Sequence, residues 1–200
     1  MPMTLILTRN PLKAFLYGGV KSGRFGELIA IKGPTVRSVQ LLPRALATSA
    51  FEQPQLSTVP VAHGVLQLTT MGEPIEEVKR YTSMERHKAD NGQGYYVQLH
   101  PKKTPYSIIF ERGNSAVRKL RPGHDGRCFR VHGGKPGPEQ GILIHEAPNV
   151  TCVIGCISPR PLGNFDLALK NEVGNPSYRA MNELISFFGP STANFFVMDW

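Results

Sequence analysis

Two short apolar runs each end in a side chain able to do chemistry. Gly141-Ile142-Leu143-Ile144-His145 delivers an imidazole, and Val150-Thr151-Cys152-Val153-Ile154-Gly155-Cys156-Ile157 delivers a thiol after a glycine. A thiol near its ordinary pKa of about 8.5 is mostly protonated at neutral pH and needs a base to become a nucleophile. Cys156 and His145 would supply the two parts. Gly155, with no β-carbon, lets the backbone bend and a substrate approach closely. Backbone N–H groups around Gly155 and Cys156 would then receive the oxyanion of an acyl intermediate.

This pairing sets a condition on the intervening Glu146-Ala147-Pro148-Asn149. If Ala147 to Val150 formed a tight hairpin, His145 would face Cys152, and Cys156 would lie ~13 Å further along the ladder, beyond hydrogen-bond reach. The connection must instead curl back as a loop. Pro148, which cannot donate to a ladder, and Asn149, which tolerates turn conformations, favour that.

Ile144-His145, Gly155-Cys156-Ile157, Arg160 and Asp166 together resemble the signature of L,D-transpeptidases of the YkuD type. Those enzymes carry a His-Gly pair on one strand and a Ser-His-Gly-Cys-Ile-Arg block after a curled loop. The pattern is also similar to a phage- and prophage-associated family of short domains with Gly-Ile-Leu-Ile-His and Gly-Cys-Ile. Gly64-Val65-Leu66, Glu85-Arg86 and Gly94-Tyr95-Tyr96 match earlier pieces of that family. The likeness spans roughly residues 60 to 190. In the transpeptidases the base stands two places before the cysteine, a place held here by Ile154, so the base role falls to His145 or to His132. Glu146 stands where their glycine follows the first histidine, and Arg160 is two positions further out. The resemblance implies a mainly β (α+β) fold with a mixed, barrel-like sheet, a peptidoglycan peptide stem as acyl donor, and Gly155, Arg160, Glu146 and Asn149 at the substrate.

Composition narrows the alternatives. Two hundred residues with a formal charge of +8 favour anionic partners such as acidic wall polymer, membrane surface or nucleic acid. The basic residues are scattered, without the stripe or module of a nucleic-acid binder, so nucleic acid is not expected. No apolar stretch approaches the ~20 residues of a membrane span. Arg9, Asn10, Pro11 and Lys13 interrupt Leu5-Ile6-Leu7 before a signal-peptide core forms, so cytoplasmic synthesis without a signal is expected. Three cysteines leave at least one unpaired, and their spacing lacks the Cys-x-x-Cys of a zinc site. No phosphate or dinucleotide loop opens a helix. Neither a metal nor a cofactor is expected.

The elements that must hold the pair are mostly strands. Residues 1–58 read as a β-rich extension, with β-prone runs Glu27 to Lys32 and Val36 to Leu42, and Ser49 to Pro60 reads as a linker before a domain over 59–200. Gly64 to Thr70 alternates as a half-buried strand. Met71-Gly72 then turns back into a second strand, with a short helix over Pro74 to Tyr81 as the other option. Ser83 to Gln93 reads as a loop carrying Glu85 and Arg86 as an exposed charge pair, with a site pair as the other option. Gly94 to His100, Tyr106 to Glu111 and Arg127 to His132 read as strands, the last with Cys128, Arg130 and His132 on one face. Gly133 to Gly141 is a Gly/Pro loop. After Cys156, Pro159, Pro161 and Gly163 suggest an irregular path that leaves the thiol accessible. One amphipathic helix follows, capped by Asn175 and Pro176 and stopped by Gly189-Pro190, with Tyr178, Met181, Leu184, Ile185 and Phe188 inward. Phe195, Phe196 and Trp200 either dock on the body or form a partner surface.

Two functions follow as expectations. One is a cysteine-dependent peptidoglycan-modifying enzyme, L,D-transpeptidase-like or a carboxypeptidase or amidase, working in the periplasm or cell wall after delivery by a phage or contractile secretion apparatus. A phage or secretion structural protein and an immunity protein would be its partners. The other is a non-catalytic structural or adaptor module of that machinery, with His145 a core histidine and Cys156 a packing thiol.

Overall fold

Strict alternation along the chain builds the molecule. In the computed structural model, residues 2–17, 21–43, 56–71, 74–86, 99–102, 104–133, 141–153, 155–170 and 172–199 are described. They form strands β1 (Met3–Tyr17), β2 (Lys21–Lys32), β3 (Thr35–Pro43), β4 (Leu56–Val61), β5 (Gly64–Met71), β6 (Glu77–Arg86), β7 (Tyr106–Glu111), β8 (Cys128–His132), β9 (Leu143–Ile144), β10 (Ile157–Pro161) and β11 (Ala193–Asp199), with helices α1 (Ser115–Arg118) and α2 (Pro176–Phe188). Eight strands close a barrel in the order β1-β11-β7-β8-β9-β10-β6-β2, and β3-β5-β4 make a separate sheet. Closure leaves the barrel strands no open edge where all are paired.

Every second residue points inward. Leu5, Leu7, Leu28, Ala30, Tyr81, Ile108, Phe129, Ile144, Ile157 and Phe195 share the interior cluster, which α2 joins through Ala180, Met181, Leu184, Phe187 and Phe188. The residues between them face out. Ile6, Ile29, Ile31 and Phe196 pack against Val59, Leu66 and Leu68 of the second sheet. Phe25, Met84, Cys128, Leu143 and Cys156 lie in a third cluster, also on the outer face.

Helix α2 starts and stops where its signals stand. Asn175 Oδ1 accepts the Tyr178 N–H at 2.8 Å, Pro176 occupies the first turn, and Gly189 ends the helix with φ of 61°. Its buried stripe is rotated from the expected one: Ser177 and Phe187 are buried, while Tyr178 and Ile185 are only half-buried. The C-terminal aromatic segment docks as β11 between β1 and β7, and Trp200 lies outside the described residues.

Several expectations change once strands find their partners. β4 runs through residues 58 and 59, where a boundary was expected, and β1 and β2 stand in the same barrel as β6 to β11. β6 pairs with β2 and β10, not with β5, so neither the hairpin from Met71 nor a helix over Pro74 to Tyr81 forms. Ser83 to Arg86, expected in a loop, belong to β6, and Glu85 and Arg86 are buried. Residues 87–98 and 134–140 lie outside the described set, and with them most of the strand expected at Gly94 to His100 and the Gly/Pro loop. Among the described residues no helix is long and apolar enough to cross a membrane.

The path after Cys156 is a strand, not an irregular segment. Ile157 O accepts the His145 N–H at 3.0 Å, so residues 157, 159 and 161 turn their backbone polar groups toward the β9 side. β9 ends at Ile144, and the missing N–H groups of Pro159 and Pro161 fall where no ladder partner waits.

Candidate active site

The condition set by the sequence is met by parallel pairing. β9 and β10 run parallel with Ile144 opposite Ile157, so the chain doubles back between His145 and Cys156. Asn149 organises the return: its Oδ1 accepts the Thr151 N–H at 2.9 Å, opening a 3-10 turn over Val150–Cys152. Leu169 N–H is donated to Pro148 O at 2.7 Å. Gly155 has φ of 72°, a left-handed conformation that costs glycine little and other residues more.

Because Ile144 and Ile157 point into the barrel, Leu143, His145, Cys156 and Ser158 all project outward. Cys156 stands beside Leu143, and His145 is its diagonal neighbour, a relation that spaces two strand residues by about 7–8 Å and their Cβ atoms by somewhat less. His145 is 3% exposed and Cys156 9%, so the thiol is covered, not open as expected. Ala147, Val150 and Val153 of the returning loop pack in its cluster. His145 Nδ1 lies 2.7 Å from Glu146 O. A backbone carbonyl only accepts, so Nδ1 carries the proton and Nε2 keeps its lone pair. No hydrogen bond joins His145 to Cys156 in this arrangement.

Burial sets the protonation of both groups. It lowers the His145 pKa to about 4, against a smaller upward pull from the Glu146 carbonyl and with His124 adding to the drop. It raises the Cys156 pKa, while the Leu143 backbone N–H and the Arg130 guanidinium pull it down. Cys128, on the neighbouring strand, is pushed up to about 12 by the same desolvation. At neutral pH the site therefore holds a neutral imidazole and a neutral thiol.

The other expected site residues separate. His132 is exposed at the end of β8, and β9 lies between β8 and β10. Two strand spacings, about 10 Å, put it out of hydrogen-bond reach of Cys156. Arg160, expected at the substrate, is fully buried. It donates to the carbonyls of Pro148 and Asp166 and to Asn164 Oδ1, and so ties both loops to the barrel wall. Burial lowers its pKa to about 10, with Asp166 acting the other way. Glu146 is also buried: Oε1 accepts from Arg121 Nε at 3.0 Å, His124 Nε2 lies 3.2 Å from the same oxygen without a hydrogen bond, and Oε2 has no partner. Asn149 spends its side chain on the turn, which leaves Gly155, half-exposed, beside the thiol.

The network behind Glu146 was not foreseen. His124 accepts the Gly126 N–H on Nδ1 at 2.8 Å, and Arg121 and Arg127 stack on the Tyr178 ring with centroid distances of 5.2 and 4.9 Å. The available signal was a histidine framed by Pro122-Gly123 and Asp125-Gly126 turns. Ser177 is a second hub. Its Oγ accepts the Ala147 N–H at 2.9 Å, donates to Pro159 O at 2.9 Å and meets Ser158 Oγ at 2.8 Å. Replacing Ser177 by alanine strands these buried groups and is expected to cost ~1–3 kcal/mol in urea unfolding.

A second expectation concerns acid. In the unfolded chain His145 binds a proton near its ordinary value of 6.5, and in the fold only near about 4. The unfolded state holds more protons between those values, so stability is intact above the upper one and declines as pH falls through the window, by ~3 kcal/mol. His124, whose pKa is also lowered, chiefly by burial, steepens the loss. Denaturation midpoints measured from pH 7 to pH 4 should show this slope, and a His145→Gln chain should lose most of it.

No protein-family model, no curated protein and no solved structure matches this chain.

Proposed function

We propose that the protein is a cysteine-dependent enzyme acting on the peptide stems of peptidoglycan. The observation that carries this reading is the parallel return of β10 beside β9, which sets Cys156 and His145 on one face as diagonal neighbours. The Glu146 carbonyl leaves His145 Nε2 free to take a proton. When the loop over Ala147 to Val153 lifts, Cys156 Sγ attacks a stem-peptide carbonyl carbon as Nε2 accepts the thiol proton. The carbonyl oxygen takes the electron pair and is received by backbone N–H groups near Gly155. Collapse expels the amine, which leaves with the proton from His145, and the thioester is resolved by water or by a second amine. Hydrolysis would make the protein a carboxypeptidase or amidase, and aminolysis an L,D-transpeptidase-like enzyme.

The substrate class comes from the resemblance of Ile144-His145 and Gly155-Cys156-Ile157 to the transpeptidase signature, and the charge of +8 suits an acidic wall polymer. A periplasmic or wall site of action implies delivery by a phage particle or contractile secretion apparatus, with a structural protein or an immunity protein as partner.

Burial of Cys156 favours a second reading, a non-catalytic structural or adaptor module of the same machinery. Incubating the purified protein with muropeptides and resolving the products by mass spectrometry separates the two. Shortened or newly cross-linked stems with the wild type, and none with Cys156→Ala, support the enzyme. Unchanged muropeptides, with a thiol that resists alkylation throughout, leave the module.

A further inference from the structure

A cavity of about 330 Å³ opens on the outer barrel surface, and neither Cys156 nor His145 lines it. Its floor and walls come from outward residues of β1, β2 and β6, from the tip between β4 and β5, and from the turn after β10. Phe25, Val61, Leu162 and Phe165 supply the apolar part. Phe25 and Phe165 meet edge to face with centroids 5.2 Å apart. Leu162 and Phe165 are 51% and 44% exposed, large apolar side chains held at the rim in water. The turn that carries them is fixed in place, because Gly163 donates its N–H to Thr82 Oγ1 at 2.9 Å.

The two charged side chains in the lining offset each other. Glu27 and Arg80 form an ion pair at 2.9 Å, and Asn10 is hydrogen-bonded to His63. Among the described residues the lining therefore presents no net charge, and an ion entering it would lose hydration without a counter-charge from them to replace it. One acceptor position is left. Glu27 Oε1 takes the Ala62 N–H at 3.0 Å and Arg80 Nη2 at 3.1 Å, whereas Oε2 takes Arg80 Nη2 alone. A carboxylate oxygen accommodates two donors.

We propose that this cavity binds a small uncharged aromatic molecule with one hydrogen-bond donor, its ring against Phe25, Phe165 and Leu162 and its donor on Glu27 Oε2. The volume falls at the lower end of ligand pockets, ~300–1,000 Å³, as a single-ring molecule requires. An aromatic ring gains over an aliphatic body of equal area by offering its edge or face to the two phenylalanines.

The test is an amide-resolved NMR titration of the full chain with para-cresol, para-methylanisole and para-toluate. Para-cresol should saturate, shifting Ala62, Gly163 and Phe165. Methylating the hydroxyl removes the donor, so para-methylanisole should bind about tenfold weaker, and the para-toluate anion weaker still. Phe165→Ala and Leu162→Asp alter exposed rim positions, so the fold survives, and each should weaken para-cresol by about tenfold or more. Non-saturating shifts overturn the proposal. So do equal affinities for cresol and methylanisole, a preference for the anion, or undiminished binding in both rim variants. The outcome does not depend on whether Cys156 is catalytic.

Discussion

Replacement of Cys156 by alanine is expected to lower turnover of peptidoglycan stem peptides by at least ~10³. The thiol forms the acyl bond in this mechanism, and what remains can bind but not open the carbonyl. His145→Ala should cost ~10²–10⁴ in kcat, the usual worth of a positioned base. KM should change little, because the buried imidazole offers substrate no binding surface. The pH profile distinguishes base-assisted attack from attack by a thiolate formed without the base. Burial first raises the Cys156 pKa, with Leu143 N–H and Arg130 opposing, while His145 stays neutral down to about 4. With both groups neutral, proton transfer to His145 accompanies attack, so the rate should stay level across the neutral range, with no acid limb from histidine near pH 6. A rise of about tenfold per pH unit from pH 6 to pH 8, or full activity in Cys156→Ala, removes the mechanism.

Loss of Glu85 should destabilise the fold by ~3–5 kcal/mol. Alternation along β1 and β6 sends Arg9 and Glu85 into the barrel, where they meet in a bidentate pair at 2.9 and 3.0 Å. Arg9 also donates to Leu99 O at 2.7 Å and to Asp199 Oδ1 at 3.2 Å. Burial alone works against the Arg9 charge, but Glu85 and then Asp199 outweigh it and hold the guanidinium firmly protonated. Glu85→Ala leaves that charge inside the barrel with Asp199, itself part-exposed, the one carboxylate left to it among the described residues. The Arg9→Met/Glu85→Leu double variant removes both charges at similar volume and should recover most of the loss. Urea midpoints of the three chains decide the matter, and a Glu85→Ala penalty below ~1 kcal/mol would show the pair to be incidental.

Arg9 and Glu85 also show why part of this molecule could not be read from its sequence. They stand 76 residues apart, and the polar stretch around Glu85 reads locally as a loop. It becomes a central strand because β2 and β10 supply hydrogen bonds on both sides, and tertiary pairing overrides local propensity. The same reason hid the strand over Ile157 to Pro161, whose prolines are tolerated only because β9 stops early. Arg160 and Glu146 carry charge types suited to a substrate, yet the fold surrounds both and commits them to holding loops.

Periodicity and punctuation are local, and they were legible. Two-residue alternation marked β5 and β8 with their faces, the run Tyr106 to Glu111 marked β7 as a strand, the Asn175-Pro176 and Gly189-Pro190 signals marked α2, and Pro148-Asn149 marked the place where the chain must turn back for His145 and Cys156 to share a face. Which strands pair, which side chains meet across them, and how much water reaches the thiol depend on contacts between distant segments. Barrel closure decided those, because each strand's partners are set by the whole ring and not by its own residues.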